Sequence, residues 1–226
     1  MWAYCLVCLL LATNVSSDSA HPRHQVVCWT TKYKGTTFRV IKFPHCRHVE
    51  TIISDNPPGE TVRHAKKRWH GFAASTACFY NTKTLLPVDF FRRNGKIKVG
   101  REVGRRILAI SKVEPLKIQN SLDFLRSKLT SDALALGSLV KPFSLDGFSI
   151  AFANINTDRM SLALSPKYLY IVQAKTNLWK MSQFTKERLP CNAAINTDGG
   201  HAVKGKSPYH LVFRWKNRSS LKVLRH

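Results

Sequence analysis

Acidic residues are scarce in this chain. Its 226 residues hold 13 Asp and Glu against 36 Lys and Arg, a formal net charge of +23 at pH 7. A surface so short of carboxylates disfavours cationic partners and favours anionic ones: nucleic acid, phospholipid surfaces or phosphate-bearing glycans. The charge does not choose among them. No zinc-finger or RRM-like pattern accompanies the basic residues, so specific nucleic-acid recognition is not expected and polyanion binding would be non-specific.

Long apolar runs are also missing beyond the first residues. The opening stretch MWAYCLVCLLLATNVSS is uncharged and apolar from Trp2 to Ala12, then small and polar, with Val15 and Ser17 suited to signal-peptidase cleavage. Residues 1–17 therefore read as a signal peptide of an exported protein, secreted or periplasmic. A membrane span needs about 20 apolar residues, and no later stretch supplies them. Internal repeats and low-complexity linkers are absent too. With 44% hydrophobic residues, the chain has material for one sizeable core and too little length for two comfortable domains. The expected organisation is a signal peptide at 1–17, an N-terminal segment at 18–35 and one domain over 36–226.

Outside the leader, the Cys-x-x-Cys spacing of structural zinc sites does not occur. Cys28, Cys46, Cys78 and Cys191 remain after the leader. A zinc reading using Cys28, Cys46, His45 and His48 is the weaker one; an even number in an exported chain points to two disulfides, with three connectivities open. Closing the Cys28–Cys46 loop would contribute about 3 kcal/mol by restricting the unfolded chain. No metal and no cofactor is assigned from the sequence.

What is present alternates between strands and helices. TTFRVIKF (36–43) alternates as a strand, and SDNPPGE (54–60), with two prolines, reads as a loop. A helix is expected over about 60–69, where Val62, Ala65 and Trp69 recur at helical spacing. FAASTACFY (72–80) is extended and buried in character. Residues 88–91 and 96–99 flank an Asn94-Gly95 hairpin signal. SLDFLRSKL (121–129) reads as a short amphipathic helix. Strands are expected at 147–153, 160–164 and 167–174. Asn177 can cap a helix over about 178–188 that places Leu178, Met181 and Phe184 on one side. A strand at 192–197 delivers Asp198, and 209–215 is the last strand. The fold class is α+β: a single domain with a mixed, mostly antiparallel twisted sheet and about three helices packed on it.

The order of these pieces adds a function. STACFYNTKTLLPVDFFRRNGK, then ALGSLVK, DRMSLALSPKYLYIVQA, TNLWKMSQF and CNAAINTDGG together resemble the phosphodiester glycosidase domain family over about residues 36–203. Arg159 before a β-hairpin and the Asp198-Gly199-Gly200 strand end match the family pattern. Thr76-Ala77-Cys78 replaces its Asn-(Ala/Gly)-Gly element, Asp89 stands where Gly is usual, and Ala135-Leu136-Gly137-Ser138 replaces a Gln before Gly-Pro.

The resemblance implies cleavage between a sugar's anomeric carbon and a phosphodiester oxygen. A phosphate monoester is a good leaving group, so the transition state needs a cation following its charge and a carboxylate near the sugar face. Arg159 suits the first role through its planar fork, and Asp198 the second. Gly199 and Gly200 would bring backbone N–H groups onto a ligand oxygen. Thr76 would donate a hydrogen bond to the substrate, and His201 would carry a proton or contact phosphate. A bridge between Cys78 and Cys191 would tie two walls of the site. Taken alone, Asp198-Gly199 is also a turn sequence, and Arg159 a surface ion-pair member. The implied function is an exported hydrolase or binder of a sugar 1-phosphodiester; the alternative is a catalytically inactive relative that binds anionic glycan through its basic surface.

Overall fold

The computed structural model describes residues 25–100, 106–111, 114–119, 130–138 and 148–216. The leader at 1–17 and the helix expected at 121–129 lie outside these. The first half comprises β1 (Val27–Tyr33), β2 (Thr36–Pro44), β3 (Val49–Glu60), α1 (Val62–Arg68), β4 (Ala73–Thr76), β5 (Phe91–Arg93), β6 (Lys96–Val99), β7 (Arg106–Ser111) and β8 (Lys117–Gln119). The second comprises β9 (Thr130–Ser138), α2 (Ile150–Asn154), β10 (Thr157–Leu164), β11 (Tyr168–Thr176), α3 (Leu178–Arg188), β12 (Ala193–Asn196), α4 (His201–Lys204) and β13 (Ser207–Trp215).

Ten strands form one sheet in the order β1-β2-β11-β10-β12-β9-β5-β6, with β7 attached at β9 and β8 at β7. A second sheet has the order β3-β13-β4. All pairings between described strands are antiparallel. β1 pairs with β2 along its whole length, so residues ahead of 36 supply an edge strand of the large sheet.

Strand alternation sorts the side chains into layers. Leu162, Ile171, Ile195 and Phe43 of the large sheet pack against Ile53, Leu211 and Phe213 of the small one. The opposite face presents Phe38, Val40, Tyr170 and Val172 to Leu178, Met181 and Phe184 of α3. Phe38 and Phe184 stack there with ring centroids 4.0 Å apart. On the outer face of the small sheet, Ile52, Ala74 and Val212 bury Ala65 of α1. The molecule is thus helix, sheet, sheet, helix. Losing Phe184 to alanine would cost about 3–5 kcal/mol, the usual range for a fully buried phenylalanine.

Local signals explain most element ends. Asn177 caps α3, its side chain accepting from the Lys180 N–H at 2.8 Å. Asn94 and Gly95 both take positive φ, 50° and 76°, as a type I′ hairpin turn requires. Mixed α+β architecture is as expected, with four helices among the described residues.

Three expectations are corrected. SDNPPGE is part of β3, not a loop: β3 is an edge strand bonded only to β13, and the register jumps from Asp55↔Tyr209 to Glu60↔Ser207. Residues 56–59 therefore bulge outward, where prolines leave no ladder bond unmade. The apolar run at 147–153 contributes a helix, α2, because the Ser149 side chain accepts from the Phe152 N–H at 3.1 Å; so short an apolar run has no decisive period.

The disulfides are the third correction, since all four cysteines are free. Cys28 sits exposed opposite Ile41, five residues short of Cys46. Cys78 lies in the core between the sheets, whereas Cys191 packs on the α3 face and donates its thiol to the Thr185 carbonyl at 3.2 Å. The sheet separates them. Both ring nitrogens of His45 lie 2.8 Å from carbonyls, those of Ser165 and Leu116, which leaves no ring nitrogen for the zinc reading. Among the described residues no group of three His, Cys, Asp or Glu could hold a metal, and no helix is long and apolar enough to cross a membrane.

Candidate functional site

The site grows from the register of β10 with β12, which sets Ser161 opposite Asn196 and Leu162 opposite Ile195. Alternation sends Met160 and Leu162 into the inter-sheet core and Arg159 and Ser161 to the other face. Asn196 shares that face, being in step with Ala194, which packs toward α3. The chain then leaves β12 through Thr197 and Asp198.

Asp198 is held by its backbone. Its N–H donates to the Ala77 carbonyl at 2.9 Å. Thr76 Oγ1 donates to its carbonyl oxygen at 2.6 Å and lies 2.8 Å from Thr197 Oγ1. Thr197 can in turn donate to either Thr76 Oγ1 or the Met160 carbonyl, 3.0 Å away, but carries one hydroxyl proton. Thr76 is thus fully buried behind the loop, with its hydroxyl used to anchor Asp198. This bond positions the Asp198 loop.

The carboxylate itself is sparingly solvated. Burial pushes the Asp198 pKa up to about 7, against the Gly199 N–H, which donates to Oδ1 at 2.8 Å, and the nearby Arg159 charge. No described residue bonds Oδ2. A carboxyl group poised near neutrality can give or take a proton during a reaction. Cys78, pushed well up by burial and by Asp198, stays a thiol and is not a nucleophile.

Arg159 is 1% exposed, far from a surface ion-pair member. Its Nη2 donates to the carbonyls of Phe152 and Ile155, both at 3.1 Å, and the guanidinium lies 4.6 Å from the Phe152 ring centre. These contacts hold a buried cation by carbonyls and an aromatic face. Burial lowers its pKa while Asp198 raises it.

The two glycines have separate reasons. A Cβ on Gly199 would lie 2.9 Å from the Asp158 carbonyl and 3.5 Å from Arg159 Cδ, so only glycine lets the loop cross Arg159. Gly200 takes φ 58° and ψ −125° ahead of α4, a conformation glycine supplies cheaply. Their N–H groups are engaged inside the protein: Gly199 donates to Asp198 Oδ1, and Gly200 to the Asp158 carbonyl at 2.7 Å. His201 opens α4 and is exposed, its ring packed over Gly205.

Several residues were not legible beforehand. Ser161 and Asn196 are fully buried, and Ser161 Oγ and both Asn196 amide atoms have no hydrogen-bond partner among the described residues; the same holds for Arg159 Nε. Such orphans are costly unless something polar meets them. Beside them stand Phe148 and Phe152, stacked at 4.9 Å with 15° between planes, and Phe79 meets Phe148 edge-on at 5.1 Å. Gly137, paired with Asn196, admits the Phe148 ring, which would clash with any Cβ there. Polar side chains in otherwise apolar strands, MSLAL and AAIN, were the available signal.

No family model and no curated protein matches the chain at the level of sequence. Solved structures do match. The zebrafish N-acetylglucosamine-1-phosphodiester alpha-N-acetylglucosaminidase catalytic domain, auto-inhibited by its pro-peptide, superposes with a TM-score of 0.66 at 15% identity, over 88% of this chain and 86% of that one. The likeness is one of fold. A hypothetical protein from Synechocystis matches with a TM-score of 0.61 at 11% identity, over 84% of this chain and 62% of that one. Ser161, Asn196, Arg159 and Asp198 cluster on this shared fold.

Proposed function

We propose that this chain is an exported phosphodiester glycosidase-like hydrolase acting on a sugar 1-phosphodiester. The observation that carries the reading is Asp198, a carboxyl group raised to about 7 beside a buried Arg159, with orphaned polar atoms of Ser161 and Asn196 on the same sheet face. The fold shared with a phosphodiester glycosidase domain supports the substrate class.

The chemistry follows from the two charges. Water adds at the anomeric carbon, the bond from that carbon to the phosphate oxygen breaks, and the phosphate monoester leaves with the bonding pair. Asp198 in its ionised form takes the proton from the attacking water. Arg159 faces the charge that gathers on the leaving phosphate, in a setting where burial strengthens the attraction. The stacked Phe148 and Phe152 rings offer an apolar face to a sugar ring, and Ser161 and Asn196 offer hydroxyl and amide partners for sugar hydroxyls.

Purified protein lacking residues 1–17 should hydrolyse aryl and alkyl phosphate esters at C1 of α-linked sugars, and an Asp198→Asn variant should lose at least ~100-fold in kcat, about 2.7 kcal/mol. Full activity in that variant would remove Asp198 from the mechanism.

A second reading, binding without turnover, is favoured by one observation: the Gly199 and Gly200 N–H groups are engaged inside the protein. A polyanion binder of this charge should lose affinity for heparin, DNA and phosphoglycan alike as salt rises. Selectivity for a sugar phosphodiester that survives high salt would argue for the shaped site.

A further inference from the structure

Arg159 and Met160 are consecutive on β10 and face opposite ways. On the Met160 side, between the two sheets, lies a cleft of about 390 Å³, a volume typical of small-molecule sites. Its floor is apolar, with Ala73, Ala74, Met160 and Ile171 contributing. Ile41, Val62 and Phe72 also line it and are only half-buried, so the core leaves their apolar surface partly wet.

The rim has the opposite character. Arg39, Arg63, Lys66 and Lys204 surround the floor, and no described lining residue is acidic. Lys204 pairs with Asp158 at 2.9 Å. Arg39, Arg63 and Lys66 have no ion-pair partner among the described residues. Thr61 and Gln173 add neutral hydrogen-bonding groups at the same edge.

We propose that this cleft binds a monomeric, single-chain amphiphile with an anionic phosphate head. The head meets the unpaired cations, where phosphate gains charge-assisted hydrogen bonds. The chain covers the half-buried apolar floor and removes it from water. A polar polyanion satisfies the rim and leaves the floor wet; a neutral hydrocarbon does the reverse. Only a ligand carrying both parts matches both surfaces. The cleft is across the sheet from Arg159, so it is independent of the hydrolytic reading.

Isothermal titration of the mature protein with dodecyl phosphate, below its micelle concentration and at high salt, tests this. Saturable one-to-one binding is expected, at least ~10-fold tighter than inorganic phosphate or dodecanol, since each lacks one half of the match. The exposed double variant Arg63→Ala, Lys66→Ala should weaken it, and Ile41→Glu, which puts a negative charge on the floor, should abolish it. Sugar phosphodiester turnover should be unchanged in both, which separates failure of this proposal from failure of the other. Inorganic phosphate binding as tightly as dodecyl phosphate, unchanged affinity in the double variant, or binding to anionic vesicles without monomer binding would each overturn it.

Discussion

Two of the carboxyl groups drawn into the interior, Glu60 at the end of β3 and Asp198 just past β12, are driven in opposite directions by their surroundings. Glu60 is buried, which alone would raise its pKa, yet hydrogen bonds from Arg68 and Ser54 hold it below the usual value. Ser54 Oγ donates to Oε1 at 2.6 Å and Arg68 Nη2 to the same oxygen at 2.5 Å, while Arg68 Nε reaches Oε2 at 3.2 Å. Trp69 Nε1 donates to Ser54 Oγ at 3.1 Å. Asp198 has one backbone donor, and its neighbouring guanidinium donates to carbonyls instead. A carboxylate whose oxygens are met is a staple, here fastening α1 to the small sheet; one left half-solvated at neutral pH beside orphaned donors is equipped for a ligand.

The sharpest break of that contrast is to neutralise each group in turn. Asp198→Asn should reduce turnover by the ~100-fold already stated, with stability at pH 8 unchanged or raised, because it removes a poorly solvated charge. Glu60→Gln should do the reverse: stability falls by about 2 kcal/mol, moderated by the half-exposed Arg68, and turnover per folded molecule holds. Urea denaturation beside active-site-normalised kinetics reads both. Equal stability losses in the two variants would dissolve the distinction.

Gly199→Ala brings a Cβ to 2.9 Å from the Asp158 carbonyl and should destabilise by about 1–3 kcal/mol, as overpacking does. It should displace Asp198 as well, lowering kcat in the surviving folded fraction. Thr76→Val deletes the donor to the Asp198 carbonyl and should reduce stability by about 1 kcal/mol, with a smaller effect on turnover. Thermal melts rank the two.

Titration gives the most selective effect. Asp198 is raised from 3.8 to about 7, so the folded state holds its proton more tightly and stability falls as pH rises between those values. His210, buried with both ring nitrogens unpartnered among the described residues, is lowered from 6.5 to about 4, so stability falls as pH drops between those values. Each slope is bounded by about 1.4 kcal/mol per pH unit, and the partial exposure of Asp198 reduces its share. The Asp198→Asn variant should lose only the first slope, and His210→Phe only the second, in melts followed from pH 4 to 8.

Much of the fold was legible locally. Asn177 capped the helix it was expected to cap, the Asn94-Gly95 hairpin formed, and the strands ending at Leu164, Thr176, Asn196 and Trp215 lie close to where alternation placed them. The Pro57-Pro58 pair misled because proline marks loops in most settings, and only the free edge of β3 makes room for it. Within the site, Arg159 and the Asp198-Gly199-Gly200 turn were visible through the resemblance, which rests on the order of short motifs along the chain; taken alone, neither pointed to a site. Ser161, Asn196 and Phe148 were not, since their meeting depends on the pairing of β9, β12 and β10. Cysteine pairing misled for a similar reason: an even count says nothing about which face of a sheet each thiol occupies.

The sequence by itself determined the charge, the alternation of apolar side chains along each strand, the helix caps and the turns, because each arises within a few residues of chain. Tertiary structure alone decided that Thr76 anchors the Asp198 loop, that Arg159 is a buried cation held by carbonyls, and that Asp198 titrates near neutrality. Those properties come from burial and from how the elements pack, which sets Thr76 against Asp198 across 122 residues of chain, and no local pattern encodes how far a carboxyl group will stand from water.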